Sequence, residues 1–205
     1  MIKIFRWFFR LTGWKMAPNT PPEAYRQSVM LAAPHTTQWD AMYMIGAFGE
    51  MGIPLRYAIK KEFKRIPIIG SILASVGALW IDRSSSAKDQ KRRSYIDVMA
   101  EFFETGEDLA MIIAPEGTRS LQKEWKLGFY HIAVKAGVPI TLGYLDYPTK
   151  TAGVGGPIFP SGDMEEDLKK IMDFYRDIRG KHPQKFMVDQ RYDRKKTPPA
   201  AEEAA

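Results

Sequence analysis

The chain has 205 residues, 45% of them hydrophobic, and a formal net charge of +6 at neutral pH. This length suits one domain with a substantial core, and the positive charge indicates an anionic partner: nucleic acid, anionic lipid or a phosphorylated small molecule. The sequence contains no cysteine, which excludes disulfides, thiolate zinc sites and a cysteine nucleophile.

Residues 1–16 are predicted to form an amphipathic helix in which Lys3, Arg6 and Arg10 form one polar stripe. The segment is too short and too charged to span a bilayer, which needs about 20 apolar residues, and it lacks the features of a signal peptide. Aromatic residues interleaved with cations are typical of a helix lying in the headgroup region of an anionic membrane. The alternative is that this helix packs on the core of its own domain.

Strands and helices alternate along residues 17–190, which we assign to one domain. The predicted strands are Val29–Ala33, Leu55–Ile59, Ala78–Ile81, Leu109–Ala114 and Val138–Leu145. The predicted helices are Gln38–Glu50, a broken helix over Ile68–Val76, Ser86–Glu104, Leu127–Ala136 and Asp163–Arg179, the last with Asp163 as its N-cap. The alternation predicts a single α/β domain with a mostly parallel central sheet flanked by helices.

Two further segments complete the organisation of the chain. Ile66–Ile81 is apolar but interrupted by proline and glycine, so a helix followed by a strand is predicted there and no transmembrane span. Residues 191–205 are charged and rich in proline, alanine and glutamate, and are predicted to be disordered.

Three short motifs each follow a predicted strand. They are His35-x-x-x-x-Asp40, Asp82-Arg83 and the run Pro115-Glu116-Gly117-Thr118-Arg119-Ser120. Because the carboxyl ends of parallel strands lie at the same edge of a sheet, where sites of open α/β sheets form, we expect the three motifs to converge.

The residue types of the first motif suit a general base. An alcohol that acts as a nucleophile must lose its hydroxyl proton to a nearby group, and a neutral imidazole, with an ordinary pKa near 6.5, can take that proton. A carboxylate on the other ring nitrogen would fix the tautomer and stabilise the imidazolium. Residues five apart in one helix diverge by about 140°, so this requires His35 in the loop before the helix and Asp40 in its first turns. The alternative for His35 is a loop histidine bonded to the backbone.

Together these motifs resemble the glycerol-phosphate acyltransferase family, specifically its lysophosphatidic acid acyltransferase branch. The resemblance covers roughly residues 28–145 and rests on His35–Asp40, Lys61-Glu62-Phe63 with Pro67 and Gly70, Gly77–Arg83, Pro115–Ser120, Lys126-Leu127-Gly128 and Ala136–Ile140. It implies transfer of a fatty acyl group from acyl-CoA or acyl-carrier protein to a lysophospholipid, most readily 1-acylglycerol-3-phosphate to give phosphatidic acid. It implies no cofactor and no metal. The family usually has a second proline after Val-Pro, whereas the run here is Val138-Pro139-Ile140-Thr141-Leu142-Gly143, a departure that concerns acyl-chain or acceptor preference.

The resemblance also assigns roles within the site. It implies that Arg83 and Arg119 bind the acceptor phosphate, for which arginine is suited by its paired, charge-assisted hydrogen bonds; structural salt bridges are the alternative. Glu116 is expected to position the acceptor through a hydroxyl or to hold the arginines. The amides of Gly117 and Thr118 are expected to stabilise an oxyanion.

The partners expected from this interpretation are an anionic membrane surface, the lysophospholipid and the acyl donor, with the protein peripheral or monotopic on the cytoplasmic face. No nucleic-acid partner is predicted, because no recognisable binding motif accompanies the positive charge. Alternatives are another lyso-lipid or alcohol acceptor, a catalytically silent lipid-binding protein, and a thioesterase that uses water in place of the alcohol.

Overall fold

The elements observed follow the predicted alternation of strands and helices. A computed structural model describes residues 2–53, 55–60, 74–75, 77–81 and 94–195. The helices in these ranges are α1 (Ile2–Leu11), α2 (Trp39–Met51), α3 (Tyr95–Glu101), α4 (Gly128–Ala136) and α5 (Met164–Tyr175). The strands are β1 (Lys15–Met16), β2 (Gln27–Ala32), β3 (Leu55–Lys60), β4 (Ala78–Ile81), β5 (Leu109–Ile113), β6 (Ile140–Asp146) and β7 (Thr151–Ile158). All five predicted strands are confirmed, and β1 and β7 were not predicted.

The described strands form one seven-stranded sheet in the order β1-β7-β6-β2-β5-β3-β4. Every neighbouring pair is parallel except β6 and β7, which are antiparallel. The prediction of a single α/β domain with a mostly parallel sheet is therefore confirmed. In this order β2 lies between β5 and β6, so the segments that follow these three strands reach the same edge of the sheet.

Helices cover both faces of the sheet. Successive side chains of a strand point to opposite faces, and in β2 Val29 and Leu31 pack in the cluster that contains the buried residues of α3, α4 and α5. Met30, between them, packs on the other face against Phe48 of α2. Both faces of β2 are thus buried, which explains the apolar run Val29–Ala32 within it.

Strand β7 was missed because its sequence contains three glycines and a proline, which are uncommon inside strands. Tertiary packing accounts for two of the glycines. A side chain at Gly153 would overlap the Tyr144 hydroxyl, and one at Gly155 would overlap the Phe174 ring. These positions leave room for aromatic rings that pack on the sheet.

Three predicted helices end earlier in the structure than the sequence indicates. The N-terminal helix, predicted over residues 1–16, ends at Leu11, and Lys15–Met16 form β1 instead. The last begins where expected, since Asp163 accepts a hydrogen bond from the amide of Glu166 as an N-cap, but it ends at Tyr175 rather than Arg179. The helix predicted over Ser86–Glu104 is described only as α3, which starts with a capping box between Ser94 and Asp97. Residues 86–93, and all of the predicted helix Ile68–Val76 except residues 74–75, lie outside the described ranges.

The first part of the predicted tail contacts the domain. The Arg191 guanidinium donates to the Asp189 carboxylate and to the carbonyl of Trp125, and Arg194 pairs with Glu166. Residues 196–205 are not described.

Helix α1 packs along α2 rather than projecting away from the domain. Phe9 is buried, with 1% of its surface exposed, and the Arg6 and Arg10 guanidinium groups both pair with the Glu50 carboxylate of α2. A side chain at Gly49 would overlap Arg6, so this glycine permits the close approach of the two helices. Part of the polar stripe predicted to face lipid therefore faces the domain itself. None of the described helices is long and apolar enough to cross a bilayer.

Candidate active site

The loop between β2 and α2 brings His35 and Asp40 together. His35 lies in the loop that follows β2, and Asp40 lies in the first turn of α2. The His35 Nδ1 atom is 3.2 Å from Asp40 Oδ2. This is the arrangement that the spacing requires, because the loop turns the imidazole back toward a carboxylate that a continuous helix would direct elsewhere.

The Asp40 carboxylate also holds the loop in place. Its Oδ2 atom accepts hydrogen bonds from the amides of Thr36 at 2.8 Å and Thr37 at 2.9 Å, and Asp40 is only 5% exposed. A negative charge in the first turn is also stabilised by the helix dipole of α2. The geometry of the His35–Asp40 pair and the structure of the loop thus depend on the same carboxylate.

Tyr147, which the sequence motifs do not include, completes the surroundings of Asp40. Its hydroxyl donates to Asp40 Oδ1 at 2.6 Å. Burial and then the neighbouring carboxylate of Asp40 raise the pKa of Tyr147 well above its ordinary value, so the phenol is the donor. A tyrosine 107 residues along the chain carries no local signal of this contact, and only the position of β6 beside β2 reveals it.

Glu116 lies beneath the same loop, with 4% of its surface exposed. Its Oε1 atom accepts a hydrogen bond from the backbone amide of His35 at 2.9 Å, while Oε2 is buried and has no hydrogen-bond partner among the described residues. Burial raises the pKa of Glu116 to about 7. Among the described residues, Glu116 contacts the His35 loop and does not pair with Arg119.

The segment after Glu116 forms a tight turn. Gly117 has a φ of +67°, a conformation that favours glycine, and its amide donates to the carbonyl of Ala114. That amide is already engaged, whereas the Thr118 amide, the second one expected to stabilise an oxyanion, has no hydrogen-bond partner among the described residues. The side chain of Lys126 lies directly over Gly117.

Arg119 lines the same cavity as His35 and Asp40. It is exposed and forms no ion pair with any residue in the described ranges. The salt bridge to Glu116 considered as an alternative is therefore not formed. Arg83 and its neighbour Asp82, together with Lys61 and Lys64, lie outside the described residues.

A cavity of about 470 Å³ opens beside the His35–Asp40 pair, between α2 and the sheet. Most of its lining is apolar: Phe5, Met30, Leu31, Ala32, Ala41, Met44, Ile45, Phe48, Met51, Tyr57, Ile112, Leu145 and Val154 are among the residues. The lining extends along α2 from Ala41 to Met51, a distance of about 15 Å at the rise of an α-helix. An elongated apolar space that begins at a histidine suits a hydrocarbon chain whose reactive end meets that histidine.

The remaining histidines lie elsewhere. His131 is exposed on α4. The backbone amide of His182 donates to the Thr36 hydroxyl at 3.3 Å, so the segment after α5 also supports the loop that carries His35.

Comparison with known proteins finds similarity to acyltransferases. A family model described as Acyltransferase matches residues 9–142, well over half of the chain. The 1-acyl-sn-glycerol-3-phosphate acyltransferase of Salmonella typhimurium is 31% identical over 135 residues, which are 63% of this chain and 52% of that protein. The enzyme of the same name from Saccharomyces cerevisiae is 29% identical over 122 residues, 56% of this chain and 37% of that protein.

Proteins with lower sequence identity to this chain are also acyltransferases by name. Lysophosphatidylcholine acyltransferase 1 of Danio rerio is 24% identical over 144 residues, 70% of this chain and 26% of that protein. The chain thus spans about a quarter to a half of the length of these relatives. The crystal structure of the 1-acyl-sn-glycerophosphate acyltransferase from Thermotoga maritima superposes with a TM-score of 0.55 at 19% identity, over 84% of this chain and 76% of that one. This structural similarity supports the α/β fold described above.

Proposed function

Since the chain belongs to the acyltransferase family, we propose that it transfers a fatty acyl group from a thioester to the free hydroxyl of a lysophospholipid, 1-acylglycerol-3-phosphate in the first instance, giving phosphatidic acid. The observation that carries the proposal is the contact between His35 Nδ1 and Asp40 at the mouth of an apolar cavity. The names of the relatives support the choice of acceptor.

His35 is the general base in this proposal. With Nδ1–H directed at Asp40 Oδ2, the lone pair of the imidazole resides on Nε2, which takes the proton of the acceptor hydroxyl as its oxygen attacks the thioester carbonyl. The tetrahedral intermediate then expels the thiolate, which takes the proton back from the imidazolium. The Asp40 charge stabilises the imidazolium between these two steps. The ester and the free thiol are the products, and the base is regenerated.

The apolar cavity receives the acyl chain of the donor. Burial of hydrocarbon contributes about 0.8 kcal/mol per methylene group, so a chain extended along α2 gains affinity without any polar contact. The thioester carbonyl then lies at the polar end of the cavity, within reach of His35. Either acyl-CoA or acyl-carrier protein can present such a chain.

Arg119 binds the phosphate of the acceptor. It shares the cavity lining with His35, and a guanidinium without a carboxylate partner among the described residues is available for bidentate hydrogen bonds to phosphate oxygens. Arg83, whose structure is not described, is proposed as the second phosphate ligand from the family resemblance. Glu116 supports the reaction by holding the His35 loop through its amide.

Helix α1 mediates contact with the membrane. Its outer face exposes Ile4, Trp7 and Leu11, three large apolar side chains whose spacing puts them on one side of a helix. Burying that face in the headgroup region, beside anionic lipids that attract Lys3, would bring the cavity close to its lipid substrates. The surface of a membrane, rather than its interior, is the proposed location.

The test is acyl transfer from labelled acyl-CoA, and in parallel from acyl-carrier protein, to a panel of lyso-lipids and alcohols. His35→Ala is the inactivated variant, and His131→Ala, which removes an exposed histidine of α4, is its matched control. We expect phosphatidic acid from the wild type and the control but not from His35→Ala. Free fatty acid as the sole product would indicate a thioesterase, and folded protein without turnover would overturn the proposal.

A further inference from the structure

Asp40 uses its two carboxylate oxygens for different purposes. Oδ2 faces His35 and the amides of Thr36 and Thr37, all from its own loop. Oδ1 faces Tyr147, from a different strand. We propose that Tyr147 is a positioning residue of the general-base pair: its hydroxyl holds Oδ1 and so sets the orientation and charge that Asp40 presents to His35. The kinetic consequence rests on the proposed function, whereas the hydrogen bond is a feature of the fold.

The sheet register carries Tyr147 to this position. Strands β2 and β6 are parallel, with Ala32 opposite Gly143, so His35 and Tyr147 follow these partners at nearly the same distance along the chain. The carboxyl ends of the two strands therefore deliver the imidazole and the phenol to one edge. Tyr147 is placed by the same geometry that places His35.

The Tyr147 side chain is held firmly. Its amide donates to the carbonyl of Arg179 at 3.0 Å, and its ring lies edge-on to Trp14 at 5.0 Å and to Tyr43 at 6.0 Å. A ring fixed by backbone and aromatic contacts presents its hydroxyl in one place, which is what a positioning residue requires. Tyr43 shares this cluster, but its hydroxyl forms no hydrogen bond to Asp40 among the described contacts.

The phenol also moderates the negative charge of Asp40. A donor on Oδ1 draws electron density away from Oδ2, so that the carboxylate favours the imidazolium less strongly than it would alone. Without the phenol, Oδ2 keeps its contacts with His35 and with the amides of Thr36 and Thr37, and the undiluted charge of the carboxylate acts on the imidazole. His35 would then keep its proton up to a higher pH, and the neutral imidazole that acts as the base would form only at that higher pH.

Other titratable groups also face this loop. Glu116 accepts the His35 amide, Arg119 shares the cavity lining, Lys181 lies 5.4 Å from the ring of Trp39, and His182 donates its amide to Thr36. All remain in place when only the Tyr147 hydroxyl is removed, so a change observed in Tyr147→Phe belongs to the bond with Asp40.

The experiment compares Tyr147→Phe with Tyr43→Phe, which removes a hydroxyl from the same aromatic cluster. Two readouts are taken: the pH profile of kcat/KM, and the titration midpoint of the His35 imidazole by NMR, assigned by its loss in His35→Gln. For Tyr147→Phe we expect the acid limb and the midpoint to move upward together by about 0.5 to 1 pH unit, with kcat falling more than KM changes. For Tyr43→Phe we expect neither to move.

A double variant separates positioning from packing. In an Asp40→Asn background, Tyr147→Phe should produce no further shift in the His35 midpoint, because the charge on which it acts is gone. Unchanged midpoints in the single variant, or equal shifts in both tyrosine variants, would overturn the proposal. The NMR titration needs no turnover, so it decides the role of Tyr147 even if the wild type fails to transfer acyl groups, which would refute the proposed function instead.

Discussion

Replacing Glu116 by glutamine removes a titrating group from beneath the His35 loop while keeping an oxygen that accepts the His35 amide. In the wild type the carboxyl is 4% exposed and Oε2 has no partner among the described residues. Burial raises the pKa of Glu116 from its ordinary value of 4.5 to about 7. Ionisation is therefore less favourable in the folded state than in the unfolded state, and this difference makes folding depend on pH.

The direction of the dependence follows from the two protonation states. Below about pH 4.5 the carboxyl is protonated in both states and contributes no difference. Between about 4.5 and about 7 it ionises only in the unfolded chain, so the stability of the wild type falls as the pH rises. Above about pH 7 the loss is complete, and at about 1.36 kcal/mol per pH unit it amounts to about 3 kcal/mol.

The assay is urea denaturation of the wild type and Glu116→Gln from pH 4.5 to 8. Taking the difference between the two proteins cancels every other titrating group and any constant effect of the amide. We expect the glutamine variant to gain stability relative to the wild type by about 3 kcal/mol across this range. A difference that stays flat would refute the reasoning that a buried carboxyl lies beneath the loop. Glu116→Ala, which removes the acceptor for the His35 amide, should lose activity that Glu116→Gln retains.

Four further substitutions test the site, its cavity and helix α1. Asp40→Asn should lower kcat by about 10²- to 10⁴-fold, the usual contribution of acid–base catalysis, and near wild-type turnover would contradict the general-base pair. Phe9→Ala should lower the free energy of unfolding by about 3–5 kcal/mol, the cost of emptying a buried phenylalanine site. Trp7→Ala should leave unfolding unchanged and weaken sedimentation with anionic vesicles; the opposite pattern would reverse the assignment of the two faces of α1. Ala41→Leu narrows the cavity beside the histidine and should lower kcat/KM for long-chain donors about tenfold relative to short-chain donors, whereas an equal loss for both would argue against an acyl chain in the cavity.

The local sequence was sufficient to predict a structural feature wherever the residues that form it are close in the chain. The strands were predicted because apolar runs bounded by turns have few alternatives, and the N-cap at Asp163 was predicted because capping involves neighbouring residues. The contact between His35 and Asp40 followed from their spacing, given a loop at the first and a helix at the second. The proximity of Glu116 followed from the rule that parallel strands end at one edge.

Contacts that depend on how helices and strands pack against each other were harder to predict from the sequence. The sequence indicates a polar stripe on α1, but only the position of Glu50 on α2 shows that Arg6 and Arg10 face the domain. Similarly, the glycines that argued against β7 are explained by Tyr144 and Phe174 packing above them. Amphipathicity and secondary-structure propensity each describe a single helix or strand. The orientation of α1 and the formation of β7 were decided instead by the elements that pack against them.

The sequence alone determined the class of fold, the pair at the centre of the site and the family to which the chain belongs, because these depend on local periodicity and on motifs of a few residues. Tertiary structure alone decided that Tyr147 donates to Asp40 and that Glu116 accepts the amide of His35. The first contact requires the register of β6 on β2, and the second requires the burial of a carboxyl between two loops. Register and burial arise from interactions among distant segments, so no local pattern encodes them.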